Sequence, residues 1–134
     1  MASLAKLWLV AEDGADDFLL LERVCAQIRP RPQLLWVKDC LVAKRYLAGD
    51  GKFADREHFP LPDLILSDVK MPRMNGLELL DWVKGQPSLR SIPFVMLSSS
   101  PLDCDRDRAT TLGADGYFVK ELNLRALSES LHRL

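Results

Sequence analysis

Five short apolar runs in this chain each end on a residue that could do chemistry. Glu12 and Asp13 follow Leu7-Trp8-Leu9-Val10-Ala11. Asp68 follows Asp63-Leu64-Ile65-Leu66-Ser67. Ser98, Ser99 and Ser100 follow the run at 92–97, and Lys120 follows Gly116-Tyr117-Phe118-Val119. Clustered carboxylates repel one another, and repulsion raises their pKa unless a cation sits among them. A hard divalent ion with oxygen ligands resolves the conflict. Mg2+ suits it, because it takes one or two carboxylates, several waters and phosphate oxygens. Lys120 adds a positive charge that a phosphoryl group would meet, and Ser98 adds a hydroxyl donor. The set fits phosphoryl transfer, where catalysis is mostly positioning and charge neutralisation.

Each residue has an ordinary reading when taken singly. Acidic residues after a strand cap helices or lie solvated in loops. Asp68 alone would serve to cap a turn before Pro72. Serines form turns, and a lone lysine faces solvent. Only their convergence on one edge of one structure gives the chemical reading its weight.

The pattern between these residues supplies that edge. Apolar runs at 7–11, 34–37, 63–67, 92–97 and 116–119 read as strands. Amphipathic spacing predicts helices at 16–28, 41–47, 76–84 and 103–112. Leu124, Leu127 and Leu131 mark a fifth helix, with Asn123 as its N-cap. Residues 49–62 read as a polar loop within one domain spanning 1–134. Its Gly-Asp-Gly-Lys stretch is too short for a phosphate-binding loop and follows no strand. Strand and helix alternate, and the strands are apolar on nearly every residue. That marks a parallel sheet covered on both faces. Right-handed crossovers make it an open doubly wound α/β sheet. Ligands of such sheets bind beyond the carboxyl ends of the strands. Lys38 and Asp39 end the second run and are expected away from the others.

Composition excludes several classes. The 134 residues carry 18 basic and 19 acidic groups, interleaved along the chain, for a net charge of −1. There is no basic footprint for nucleic acid and no polybasic membrane patch. No apolar run approaches the roughly 18 residues of a membrane span. The first residues lack a secretory leader, so a cytoplasmic location is expected. Cys25, Cys40 and Cys104 are odd in number and lack metal-ligand spacing, so reduced thiols are expected.

The motifs resemble the receiver domain of bacterial response regulators over nearly the whole chain. The resemblance rests on Glu12-Asp13, on 62–72 running into Asn75-Gly76-Leu77-Glu78, on Ser98, and on Leu112-Gly113-Ala114-Asp115-Gly116-Tyr117 before Lys120. Glu12-Asp13-Gly14-Ala15-Asp16, the loop at 49–62, Asp81-Trp82-Val83-Lys84 and 92–100 look like the single-domain regulators paired with bacterial phytochromes.

The resemblance implies a flavodoxin-like sheet of order 2-1-3-4-5 with five helices. It implies that Asp68 accepts a phosphoryl group from a histidine kinase, without other enzymatic activity. Asp13 and Asp68 would ligate Mg2+ directly, Glu12 through a water, and Lys70 by its backbone carbonyl. Ser98 and Lys120 would meet the phosphoryl oxygens, and Tyr117 would change rotamer with Ser98. Output would pass through the fourth helix, fifth strand and fifth helix to a protein partner, a homodimer partner being one candidate.

One departure stands out. Receivers usually place proline after the lysine, with a cis bond. Here Glu121 follows, and a cis bond there would cost about 3 kcal/mol. A cis Lys120-Glu121 bond is nevertheless expected, since Lys120 must point into the site. The Lys70 side chain leaves the loop beside Asp68; its ordinary reading is a solvated lysine, and the hypothesis set against that is an effect on acyl-phosphate lifetime. A phosphate-independent binding module is the main alternative. An aspartyl phosphatase is disfavoured, because Lys70 rather than an aspartate lies two residues beyond Asp68.

Overall fold

The structure is a computed structural model, and it describes residues 6–98, 103–120 and Glu129. In chain order it runs β1 (Leu7–Ala11), α1 (Ala15–Cys25), β2 (Gln33–Val37), α2 (Cys40–Ala48), a 3-10 turn (Gly51–Ala54), β3 (Leu64–Asp68), α3 (Gly76–Lys84), β4 (Phe94–Ser98), α4 (Asp103–Leu112) and β5 (Gly116–Val119). The five strands form one parallel sheet of order β2-β1-β3-β4-β5, as expected. Four α-helices are described. The fifth helix expected around 124–131, its Asn123 cap and the Lys120-Glu121 bond lie outside the described residues, apart from a helical Glu129.

Side chains alternate across the strands, which divides the core in two. Leu9, Ala11, Ile65, Phe94 and Met96 face α2 and α3, packing with Ala43, Leu47, Leu77, Leu80 and Val83. Trp8, Val10, Leu64, Leu66, Val95 and Leu97 face α1, packing with Leu21, Cys25 and Ile28. The strand sequences are apolar on both faces because both faces are covered. The two buried thiols fall one in each half. Cys25 lies with the α1 group and Cys40 with the α2 and α3 group, while Cys104 is exposed. Burial pushes the Cys25 thiol up to about 12 and the Cys40 thiol up to about 11.

Two expected boundaries shift by more than one residue. Helix α1 ends at Cys25, before the expected Ile28, and the chain continues in turns that keep Ile28 buried. The fourth strand starts at Phe94 instead of 92 and takes in Ser98, which pairs with Val119. The loop at 49–62 folds back on the end of α2. Arg56 donates to the carbonyls of Tyr46 at 2.8 Å and Leu47 at 2.9 Å in the last turn of that helix, the first of which also accepts from the Gly49 N–H.

The helix starts explain why the loops near the strand ends hold their shape. Asn75 and Glu78 form a reciprocal capping box on α3, at 2.8 and 3.1 Å. Asp39 caps α2 by accepting from the Val42 N–H at 2.9 Å. The Arg73 guanidinium donates to the other oxygen of Asp39, tying the β3–α3 loop to α2. Burial raises the Asp39 pKa, but the Val42 N–H and Arg73 outweigh it, and the carboxyl ends below its usual range. A depressed carboxyl contributes stability above its unfolded pKa and loses it as pH falls through the folded value. Asp39→Ala is therefore expected to lose about 1 kcal/mol at neutral pH. The gap from the native chain should close below about pH 4. Urea melts at the two pH values check this, and a gap that does not change with pH would refute it.

Candidate functional site

The carboxyl ends of β1, β3, β4 and β5 bring the site together. Asp68 is the last residue of β3, and Lys120 follows β5 directly. Glu12 and Asp13 follow β1, which is hydrogen-bonded to β3. The Lys120 amide donates to the Ser98 carbonyl at 2.8 Å, so the chain is still in ladder register where the lysine leaves it. Ser98 is buried at the same edge.

Lys120 is the hub. Its ammonium donates to Glu12 Oε1, to Asp68 Oδ2 at 3.1 Å and to Asp17 Oδ2 at 2.9 Å. Burial would lower its pKa, but Glu12, Asp17 and Asp68 together hold it above the ordinary lysine value. Burial raises the Glu12 carboxyl; the hydrogen bond from Lys120 opposes this and the charge of Asp68 adds to it. Burial likewise raises Asp68, opposed by Lys120 and helped by Asp13, with the Lys70 N–H favouring the charged form. Both carboxylates are strained toward protonation, and further positive charge would relieve them.

The donor set fits a divalent cation. Glu12, Asp13 and Asp68 each offer a carboxylate oxygen, all within 4.8 Å of one another. Glu12 and Asp68 are buried, and Asp13 is exposed. An all-oxygen set of this charge selects hard ions over soft ones. Two backbone contacts fix the cluster. Trp36 Nε1 donates to the Glu12 carbonyl at 2.6 Å, with the indole stacked on Phe18 at 4.3 Å. The Gly14 amide donates to Glu12 Oε2 at 3.1 Å.

Gly76 lets α3 start directly under Asp68. Its amide donates to the Val69 carbonyl at 2.8 Å. A Cβ built there would fall inside van der Waals contact of the Asp68 carbonyl oxygen and 2.9 Å from Ser67 Oγ. This is the physical content of the Asn75-Gly76 pair.

Tyr117 pairs with Met96, two residues before Ser98, and so lies on the same face of the sheet as Ser98. Its hydroxyl is buried with no partner among the described residues, and Arg106 stands over its ring at 5.1 Å. Lys70 is exposed, and Ser99 and Ser100 lie outside the described residues. Asp39 of the second run caps α2 and is not one of the cluster's carboxylates.

Sequence reasoning missed Asp17. It sits in the first turn of α1, where acidic residues are common for reasons of helix polarity. Nothing in the linear pattern sets it apart from Asp16. Only the return of Lys120 from the other end of the chain does so. Asp63 and Asp115 prove to be structural. Asp63 accepts from the Leu7 N–H at 2.9 Å and Asp115 from the Phe94 N–H at 2.8 Å, each pinning a strand start.

This sheet order, with an acidic triad at the carboxyl ends of its strands and a lysine bridging Glu12 to Asp68, is that of a receiver-type signalling domain. The chain belongs to the response regulator receiver domain family, whose model matches residues 41–132. It is 32% identical over 122 residues to response regulator Rcp1 of Synechocystis sp. (strain ATCC 27184 / PCC 6803 / Kazusa), covering 91% of this chain and 81% of that one. It also superposes on the phosphorylated cyanobacterial phytochrome response regulator RcpA with a TM-score of 0.84 and 30% identity, covering 97% and 91% of the two chains. The Mn2+-bound form of Rcp1 matches with a TM-score of 0.81 and 30% identity, covering 96% and 90%. The chain is thus a receiver of two-component signalling, homologous to phytochrome response regulators. Such receivers work with histidine kinases and hold a divalent metal in the acidic pocket. No helix among the described residues is long and apolar enough to cross a membrane.

Proposed function

We propose that Asp68 accepts a phosphoryl group from the phosphohistidine of a phytochrome-type kinase in the cytoplasm, with Mg2+ as the working ion. The observation that carries this reading is the Lys120 ammonium bridging Glu12 and Asp68 beside the oxygen cluster. In the step, an Asp68 carboxylate oxygen forms the new bond to phosphorus and the bond from phosphorus to the histidine nitrogen breaks. Glu12, Asp13, Asp68 and the Lys70 carbonyl would hold the cation, which supplies charge neutralisation to the phosphoryl oxygens. Lys120 and the Ser98 hydroxyl would meet the remaining oxygens.

The buried Tyr117 hydroxyl, without a hydrogen-bond partner among the described residues, supports the switching role. A phenol not held by the described residues loses little against them by moving, and Tyr117 shares the Ser98 face of the sheet. The signal would then leave through α4, β5 and the chain beyond β5, to a protein partner or a second copy. Helix α4 is weakly anchored, with Ala109 its one buried residue among those described, which suits an element that must re-set. The Lys70 side chain would tune the lifetime of the acyl phosphate. No other enzymatic activity is assigned.

Phosphotransfer from candidate kinases to the native chain and to Asp68→Ala tests the reading. Labelling of the native chain and complete loss in the variant is expected. A native chain that takes no label from any kinase or from acetyl phosphate with Mg2+ would favour a phosphate-independent binding module instead.

A further inference from the structure

The three N–H groups of the Lys120 ammonium are all taken. Glu12, Asp17 and Asp68 hold one each. A phosphoryl group on Asp68 needs an N–H from the same ammonium, so one of the three carboxylates must give way. Asp68 is the acceptor itself and stays close. Glu12 is fixed by the Gly14 amide, its side chain 3% exposed. The Asp17 side chain is 46% exposed and lies outside the cation cluster. Water and the free N–H groups of the α1 start can solvate it once released. Its bond is the least costly of the three to surrender.

We infer that Asp17 is a positioning residue that occupies, in the resting chain, the Lys120 N–H which a phosphoryl group on Asp68 takes over. This rests on the phosphoacceptor reading above and extends it to a residue outside the acidic triad. Asp17 keeps the lysine aimed into the site from α1, whatever follows Lys120 in sequence. It also competes with the incoming group, so it sets how readily the site fills. Two ends of one chain, the first turn of α1 and the residue after β5, are linked only while the site is unmodified.

Beryllofluoride, an analogue of the acyl phosphate, reads this directly. It is titrated with Mg2+ into the full chain, with tryptophan fluorescence as the signal, since Trp36 is bonded to the Glu12 carbonyl. The variants are Asp17→Asn and, as a charge-matched control one residue away, Asp16→Asn, whose side chain is exposed. Asp17→Asn should bind beryllofluoride about threefold more tightly than Asp16→Asn, the worth of a half-exposed ion pair. Asp17→Ser should shift the same way, and it replaces Asp17→Asn if that variant folds poorly. Equal affinity in the Asp16 and Asp17 variants, with a native chain that binds, would overturn the inference alone. So would weaker binding by Asp17→Asn than by the control. A native chain that binds no beryllofluoride would overturn the phosphoacceptor reading and this inference with it.

Discussion

Lys120→Ala should cost the metal-free chain about 3 kcal/mol at neutral pH, because it strands buried carboxylates without their cation. Lys120 serves Glu12, Asp17 and Asp68 together, and the side chains of Glu12, Asp68 and Lys120 itself are at most 9% exposed. The lysine pKa is raised in the fold, so its contribution is fully present below its unfolded value of about 10.4 and is lost only above that. Neutral pH therefore reads the whole effect. Glu12 and Asp68 already stand above their ordinary values, chiefly through burial. Without the lysine they move further up, and the folded variant takes up protons more readily than the unfolded one. Acidification to about pH 5 should then return part of the loss. Millimolar Mg2+ at neutral pH should return part as well, by binding the folded state. Urea denaturation in chelator, at low pH and with Mg2+ measures all three. A deficit indifferent to both proton and cation would show that Lys120 acts by packing instead of charge.

Gly76→Ala should be nearly as damaging, for a steric reason. The new methyl would sit inside contact of the Asp68 carbonyl oxygen, with Ser67 Oγ 2.9 Å away. Backbone on one side and a buried strand on the other leave little room to yield. A loss of about 3 kcal/mol is expected. Relief can come only by moving α3 or the end of β3, and the latter displaces the acceptor. Labelling of Asp68 should slow even under conditions where the variant is folded. Gly85→Ala is the comparison, since its Cβ meets nothing closer than 3.4 Å and its φ is −81°. It should change stability by less than about 0.5 kcal/mol. Equal stability of the two variants would mean that the close approach at Gly76 is not tight.

Most of the fold was legible because a buried parallel sheet writes itself as apolar runs, and because strand ends mark where ligands bind. Asp68, Glu12, Asp13 and Lys120 were visible for that reason, each a charged group at or just beyond the end of such a run. Helix ends were less legible. Ile28 continues the apolar period of α1 and is buried, yet it lies beyond the helix, because periodicity reports burial and burial does not require helix. Ser98 read as a residue after the strand, but it pairs with Val119 and stays in the ladder, as Asp68 does at the end of β3. Asp17 and the Arg73 to Asp39 tie were invisible for another reason. Each joins residues far apart in sequence through side chains whose local context is an ordinary helix start or turn. Arg73 even takes a left-handed backbone conformation, with φ 68°, which no sequence rule assigns to arginine.

The placement of the thiols gives the molecule a pair of internal clocks. Cys25 is sealed on the α1 side of the sheet and Cys40 on the other, both with their thiolate forms suppressed. Neither can react with a disulfide probe until its own half of the core opens. Cys104 reacts at once and serves as the zero of time. Two later phases would then time the detachment of α1 separately from that of α2 and α3. A chain that unfolds as one unit would show the two buried thiols coming free together.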